Sequence, residues 1–299
     1  MDLETNNRVS RQKNEWIKIG VKCIIFAIIG CSVSMLAHMI NSAFIEKVHG
    51  KPEFVTMTLF AFSFITKILI AIGYMVLGYK IIIKNSILRA FTYVMLIWLS
   101  NFIPQIMGLA GADGPIAANA FSISTVVCDS IGYPIEGLVL GMLFRNIPLQ
   151  KIRRCLKEVY IKGIIISAVG FPLLVIIVEQ IIGKIYAPFG SAVALGVSQE
   201  KQMSFYITFY SWFILTGALL AVFYRITEYN EESTKGWLKF GLKYAVLLWS
   251  PIVLIMIVFG TEVIPTIAYT TIFIICIMII SWLNEKVLEK GSVVNRDIK

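Results

Sequence analysis

Asn119, Ser122, Thr125, Asp129, Tyr133 and Glu136 are polar or ionisable side chains in an otherwise largely apolar segment. On a helix turning ~100° per residue, these six fall within one arc of about 120°. Carboxylates, hydroxyls and a carboxamide on one face are the groups that hold a small cation, carry a proton or hydrogen-bond a solute. A carboxylate facing lipid at membrane depth is costly, so this face is expected to meet protein or water. Lys67, in FAFSFITKILIAIGY, lies near the middle of another apolar block. Its depth matches that of Asp129, and a Lys67–Asp129 pair is the expected contact. Glu136 lies nearly two turns further along, beyond Gly132-Tyr133-Pro134, with Arg145 or Lys80 as interfacial partners.

Asn101 and Gln105 stand four apart with Pro104 between them, and Ser34, His38 and Asn41 share a face in the first apolar block. The substrate or ion pathway expected from these patterns comprises Asp129, Glu136, Asn119, Ser122, Thr125, Tyr133, Asn101, Gln105 and Lys67. Pro134 removes a backbone donor, and Gly132, Gly137 and Gly141 permit close approach of another backbone. The commoner outcome of such a pattern is a kink with small-residue packing; a broken helix lining a site is the other. Asp113, in GADGP (111–115), is placed to cap the segment that follows.

Enzyme chemistry finds little support. There are two histidines, His38 and His49, and no HExxH or clustered equivalent for catalytic zinc. Asp129 and Glu136 are ~10 Å apart by helical rise, too far for a shared-proton dyad. GxSxG, Walker and DxxxD motifs are absent. No catalytic residue, metal ligand or cofactor is assigned. The five cysteines contain no CxxC pair, so neither a disulfide framework nor a zinc site is indicated.

These side chains must be positioned by membrane helices. The 299-residue chain is 58% hydrophobic and 15% charged, and its apolar residues come in long blocks. A span needs ~20 apolar residues. Eight blocks qualify: 19–44, 54–79, 89–110, 116–144, 161–186, 204–226, 240–260 and 265–285. The predicted class is therefore an all-α, polytopic integral membrane protein with eight transmembrane helices. Residues 1–18 form a polar leader, 19–144 the first four spans, 145–160 a basic connector, 161–285 the last four spans, and 286–299 a tail. The first block lacks a clear cleavage site and is expected to remain as a helix.

Charge orients this arrangement. Of the 27 Lys and Arg residues, 22 fall on the side of the leader, the even-numbered loops and the tail. Four fall on the other side, and Lys67 lies within a span. The bias predicts that both termini are cytoplasmic, in the cell membrane, and accounts for the net charge of +9 without a nucleic-acid partner. Trp16, Trp237 and Trp282 fall near predicted inner boundaries, where interfacial anchors belong.

In the connector, Leu149, Ile152, Leu156 and Val159 recur at helical spacing between basic residues. They form either an amphipathic helix on anionic lipid or a plain basic linker. The last four spans look barer, with Glu179, Gln180, Ser250 and scattered Thr as their main polar content. Function is therefore expected in the first half.

Two readings remain. One is a transporter or permease with a polar site between the first four helices, moving a small solute with coupling to protons or a cation. The other is a non-transporting component: a sensor, an assembly factor or a subunit bound to a partner. An intramembrane enzyme has less support than either.

Overall fold

A computed structural model describes residues 2–44, 53–81, 83–111, 123–145, 157–182, 199, 202–227, 236–249 and 263–294. The described residues are almost entirely helical and include no strand. The helices are α1 (Asp2–Phe44), α2 (Glu53–Val76), α3 (Ser86–Gly111), α4 (Ile123–Leu143), α5 (Lys157–Ile182), α6 (Gln202–Thr227), α7 (Gly236–Tyr244) and α8 (Val263–Val294). A 3₁₀ turn, Gly78–Lys80, follows α2, and a π-helical stretch, Ala245–Trp249, continues α7.

Local chemistry sets several of these boundaries. Asn85 caps α3: its Oδ1 accepts from the N–H groups of Ile87 (2.9 Å) and Leu88 (3.2 Å). The polar leader continues α1 as helix from Asp2. α4 remains helical through Pro134, so the segment does not break there. The expected fourth span, 116–144, is described from Ile123, and the seventh, 240–260, only as far as Trp249. Connector residues 146–156, with Leu149, Ile152 and Leu156, lie outside the described residues, as does Asp113.

Unlike a water-soluble bundle, the helices present large apolar side chains on the outside as well as in the core. Ile131, Ile135, Leu138 and Met142 form an exposed stripe on α4; Ile161, Ile165, Val169, Leu173 and Ile177 form another on α5. Lys67, Glu136, Ser167, Thr216 and Asn284 are buried. Apolar stripes facing outward and polar groups facing inward are what an acyl-chain solvent selects. Among the described residues, four segments are long and apolar enough to cross a membrane: Glu15–Ala37, Ser63–Lys80, Tyr160–Val178 and Thr270–Leu288. Shorter apolar helical segments run through Ser86–Ser100 and Tyr210–Ile226.

Packing links neighbours in the order α2, α1, α4, α3, α6, α5, α8, α7, and the π-helical end of α7 returns to α2. The α3–α4 contact is unusually close. A Cβ on Gly141 would lie 2.5 Å from Ile87 Cα, and one on Gly137 2.9 Å from Phe91 Cα. Those two glycines, one turn apart, let the backbones of α3 and α4 meet. The two halves are joined by aromatic side chains: Tyr74 on α2 packs on Tyr93 of α3 (5.6 Å between centroids), Tyr93 on Phe223 of α6 (6.2 Å), and Phe223 on Tyr244 of α7 (5.7 Å).

Two cations assigned by sequence to a loop lie inside. Arg89 sits in the first turn of α3, is 1% exposed, and donates from Nη1 to the Tyr79 carbonyl at 3.2 Å. Lys80 is also buried. The turn between α2 and α3 thus encloses both cations, which linear spacing does not reveal.

Candidate functional site

Three helices meet around one ion pair. α2 supplies Lys67 and α4 supplies Glu136; Lys67 Nζ lies 2.6 Å from Glu136 Oε1, and both side chains are almost fully enclosed. Tyr133, three residues before Glu136 on the same face of α4, presents its ring to the ammonium group at 4.7 Å from the centroid. α1 closes the third side. A Cβ on Gly30 would sit 3.2 Å from Lys67 Cγ and 3.7 Å from Glu136 Cδ. Glycine at this position lets the α1 backbone lie directly over the pair. Beside it, the Cys31 thiol contacts Ser63 Oγ, one turn before Lys67, at 3.7 Å.

The pair differs from the expected one. Sequence depth favoured Lys67–Asp129, with Arg145 or Lys80 for Glu136; the structure joins Lys67 to Glu136. The observed helix ends explain the difference. Lys67 lies nine residues before the end of α2 at Val76, and Glu136 seven before the end of α4 at Leu143. Asp129 lies fourteen before that end. At ~1.5 Å per residue the depths are about 13, 10 and 21 Å, so Glu136 is the carboxylate at the level of Lys67. Asp129 is half-buried on the same helix and near enough to act electrostatically on both members of the pair.

A buried ion pair is held together because either partner alone would be an uncompensated charge in a medium of low dielectric. This pair is incompletely satisfied. Among the described residues neither oxygen of Glu136 accepts a well-aligned hydrogen bond: Oε1 has the ion-pair contact with Lys67, and Oε2 has no partner. A buried carboxylate oxygen without a donor is rare in stable structural pairs and can accept a proton, a water or a cation. A cleft of about 240 Å³ between α1 and α2, lined by Ile28, Cys31, Ser32, Phe60 and Phe64, shares Cys31 with the cluster.

Of the nine residues expected to form the pathway, the structure brings Lys67, Tyr133 and Glu136 into contact and places Asp129 nearby. Asn119 and Ser122 lie outside the described residues. Thr125, Asn101 and Gln105 lie on α4 and α3, but their side chains are outside the description.

The second half holds polar groups that the sequence reading passed over. Asn284 Nδ2 donates to Ser167 Oγ at 2.6 Å and to the Ile280 carbonyl at 3.1 Å, linking α8 to α5. Glu285 Oε2 accepts from the Trp237 N–H at 2.9 Å, capping the first turn of α7 from α8. The signal available was the Asn284-Glu285 dipeptide, two adjacent polar residues inside the end of the last apolar block, 265–285.

No family model, no curated protein and no solved structure matches this chain. The functional reading therefore rests on the site itself.

Proposed function

We propose that this chain is a multi-pass protein of the cell membrane with eight transmembrane helices and cytoplasmic termini, and that α1–α4 form the polar site of a transporter or permease. The orientation is supported by the 22-to-4 partition of Lys and Arg. The exposure of Trp16 and Trp282 suits interfacial anchors at span boundaries. The transport reading is carried by one observation: a Lys–Glu pair, enclosed between α1, α2 and α4, whose carboxylate is not fully hydrogen-bonded among the described residues.

Ionisable groups at membrane depth pair with one another and mark solute or proton routes. In this reading Glu136 exchanges a proton or cation. Lys67 holds the carboxylate when the site is unloaded and releases it when the site loads. Asp129 and Tyr133 extend the polar face of α4 beside Glu136, and Thr125, Ser122, Asn119, Asn101 and Gln105 are the further residues this reading assigns to the pathway. The basic connector rests on anionic lipid. No catalytic residue, cofactor or metal is invoked.

The close packing at Gly30 favours a second reading, in which the pair only fixes helix register in a non-transporting component that docks a partner subunit. A charge exchange, Lys67→Glu with Glu136→Lys, separates the two. Each protein is reconstituted into vesicles loaded with a pH-sensitive dye, and its fold is checked by gel filtration and thermal unfolding. The transport reading expects the exchanged protein to fold and to lose its dissipation of an imposed pH gradient. Folding with flux at the level of the unaltered protein would mean that the pair serves structure alone.

A further inference from the structure

Resting on the transport reading, we infer that the Glu136–Tyr133 site is built for an alkylammonium group, that Lys67 occupies it as a tethered stand-in, and that the solute is a small primary amine. The geometry is that of an ammonium receptor. The Lys67 Nζ group lies 2.6 Å from a carboxylate oxygen and 4.7 Å from the centroid of an aromatic ring. A carboxylate with an aromatic face recognises a cation carrying N–H donors and an aliphatic tail. The second carboxylate oxygen has no hydrogen-bond partner among the described residues, although Glu136 is 1% exposed. An ammonium has three donors. One incoming cation placed between the two oxygens would satisfy both, which the tethered lysine does not achieve from its position on α2.

The surroundings suit the tail as well as the head. The Lys67 stem runs beneath Gly30, its Cγ 3.2 Å and its Cδ 3.4 Å from where a Cβ on that glycine would lie. On that side a linear methylene chain is accommodated, and a branched or quaternary cation would press on the α1 backbone. Lys67 is the built-in competitor. A free amine binds only in the fraction of molecules in which the lysine has left the carboxylate, which weakens the apparent affinity by that fraction.

Truncation at Lys67 provides the test. Lys67→Ala removes the stand-in and leaves a channel shaped for propylammonium. The unfolding temperature of the purified full-length protein is followed against propylammonium chloride, with sodium chloride and tetramethylammonium chloride at equal ionic strength as controls. Lys67→Ala is expected to be stabilised saturably by propylammonium alone, with half-saturation at about one-tenth or less of the concentration the unaltered protein needs. Lys67→Ala with Glu136→Gln is expected to show no such response. Should Lys67→Ala fail to fold, Lys67→Gln, which retains a hydrogen-bonding side chain, is examined in the same way, and the unaltered protein is compared with Glu136→Gln.

A response no greater than that to sodium, or one that survives Glu136→Gln, overturns the inference. Vesicle flux separates it from the reading beneath it. Glu136-dependent pH dissipation without any amine response ends the amine assignment and leaves transport standing. Amine stabilisation without flux or uptake of labelled methylammonium ends transport, and with it the assignment of a transported amine.

Discussion

The two halves of the bundle bury polar groups in different ways. Between α5 and α8 the contact is neutral and complete. Both amide hydrogens of Asn284 find acceptors, and Ser281 Oγ donates to the Ile277 carbonyl at 2.7 Å. Between α2 and α4 the contact is charged and, among the described residues, incomplete, with Oε2 of Glu136 unpartnered. A neutral, saturated hydrogen bond is sufficient to fix the register of two membrane helices. A charged pair carries a far larger desolvation cost and is not needed for register alone. Under the proposed function, the charged pair of the first half is the contact that exchange would open.

Breaking the charged contact should have the largest effect. Glu136→Leu leaves the Lys67 ammonium buried without its partner and is expected to cost about 3–5 kcal/mol, measured by reversible unfolding in mixed micelles. Replacing both members, Lys67→Met with Glu136→Leu, is expected to recover most of that loss while abolishing flux. A double variant as unstable as the single one would mean that the charge itself holds the fold.

Gly141→Ala comes next, since its Cβ would meet the backbone of Ile87 rather than a side chain that can turn away. Separation of α3 from α4 is expected to cost about 1–3 kcal/mol by the same measurement. It should also reduce flux, because α4 carries Glu136.

The second half should respond more weakly and without functional loss. Glu285→Ala removes the acceptor for the Trp237 N–H and is expected to cost about 1 kcal/mol. Amide exchange at Trp237, followed by mass spectrometry, should accelerate. Asn284→Leu is expected to cost about 0.6 kcal/mol, the usual scale for interhelical hydrogen bonds in membranes. Neither change should alter flux. A second-half substitution that folds yet stops flux would erase the division between the halves.

The all-helical class was legible because the chain runs in long apolar blocks, four of which are long and apolar enough to cross a membrane, and the face of α4 around Tyr133 and Glu136 because its residues recur at helical spacing. That Lys67 would seek a carboxylate on α4 was also legible, since a buried ammonium has few alternatives. Which carboxylate it meets was not. The choice depends on where α2 and α4 end: the blocks ending at 79 and 144 put Lys67 about midway in depth between Asp129 and Glu136, and ends at Val76 and Leu143, a shift of a few residues, favour Glu136. Arg89 and Lys80 were misplaced for a related reason: a cation at a block edge looks solvated until the loop is seen to fold inward. Asn284 and Glu285 were missed because their partners, Ser167 and the Trp237 N–H, are 117 and 48 residues away in the chain.

The most direct measurement is the rate at which the reconstituted protein dissipates a pH gradient, compared among the unaltered chain, Glu136→Gln and Asp129→Asn, each verified as folded. The account expects Glu136→Gln to fall to the rate of empty vesicles while Asp129→Asn keeps a substantial part of the activity. Undiminished flux in Glu136→Gln would contradict it.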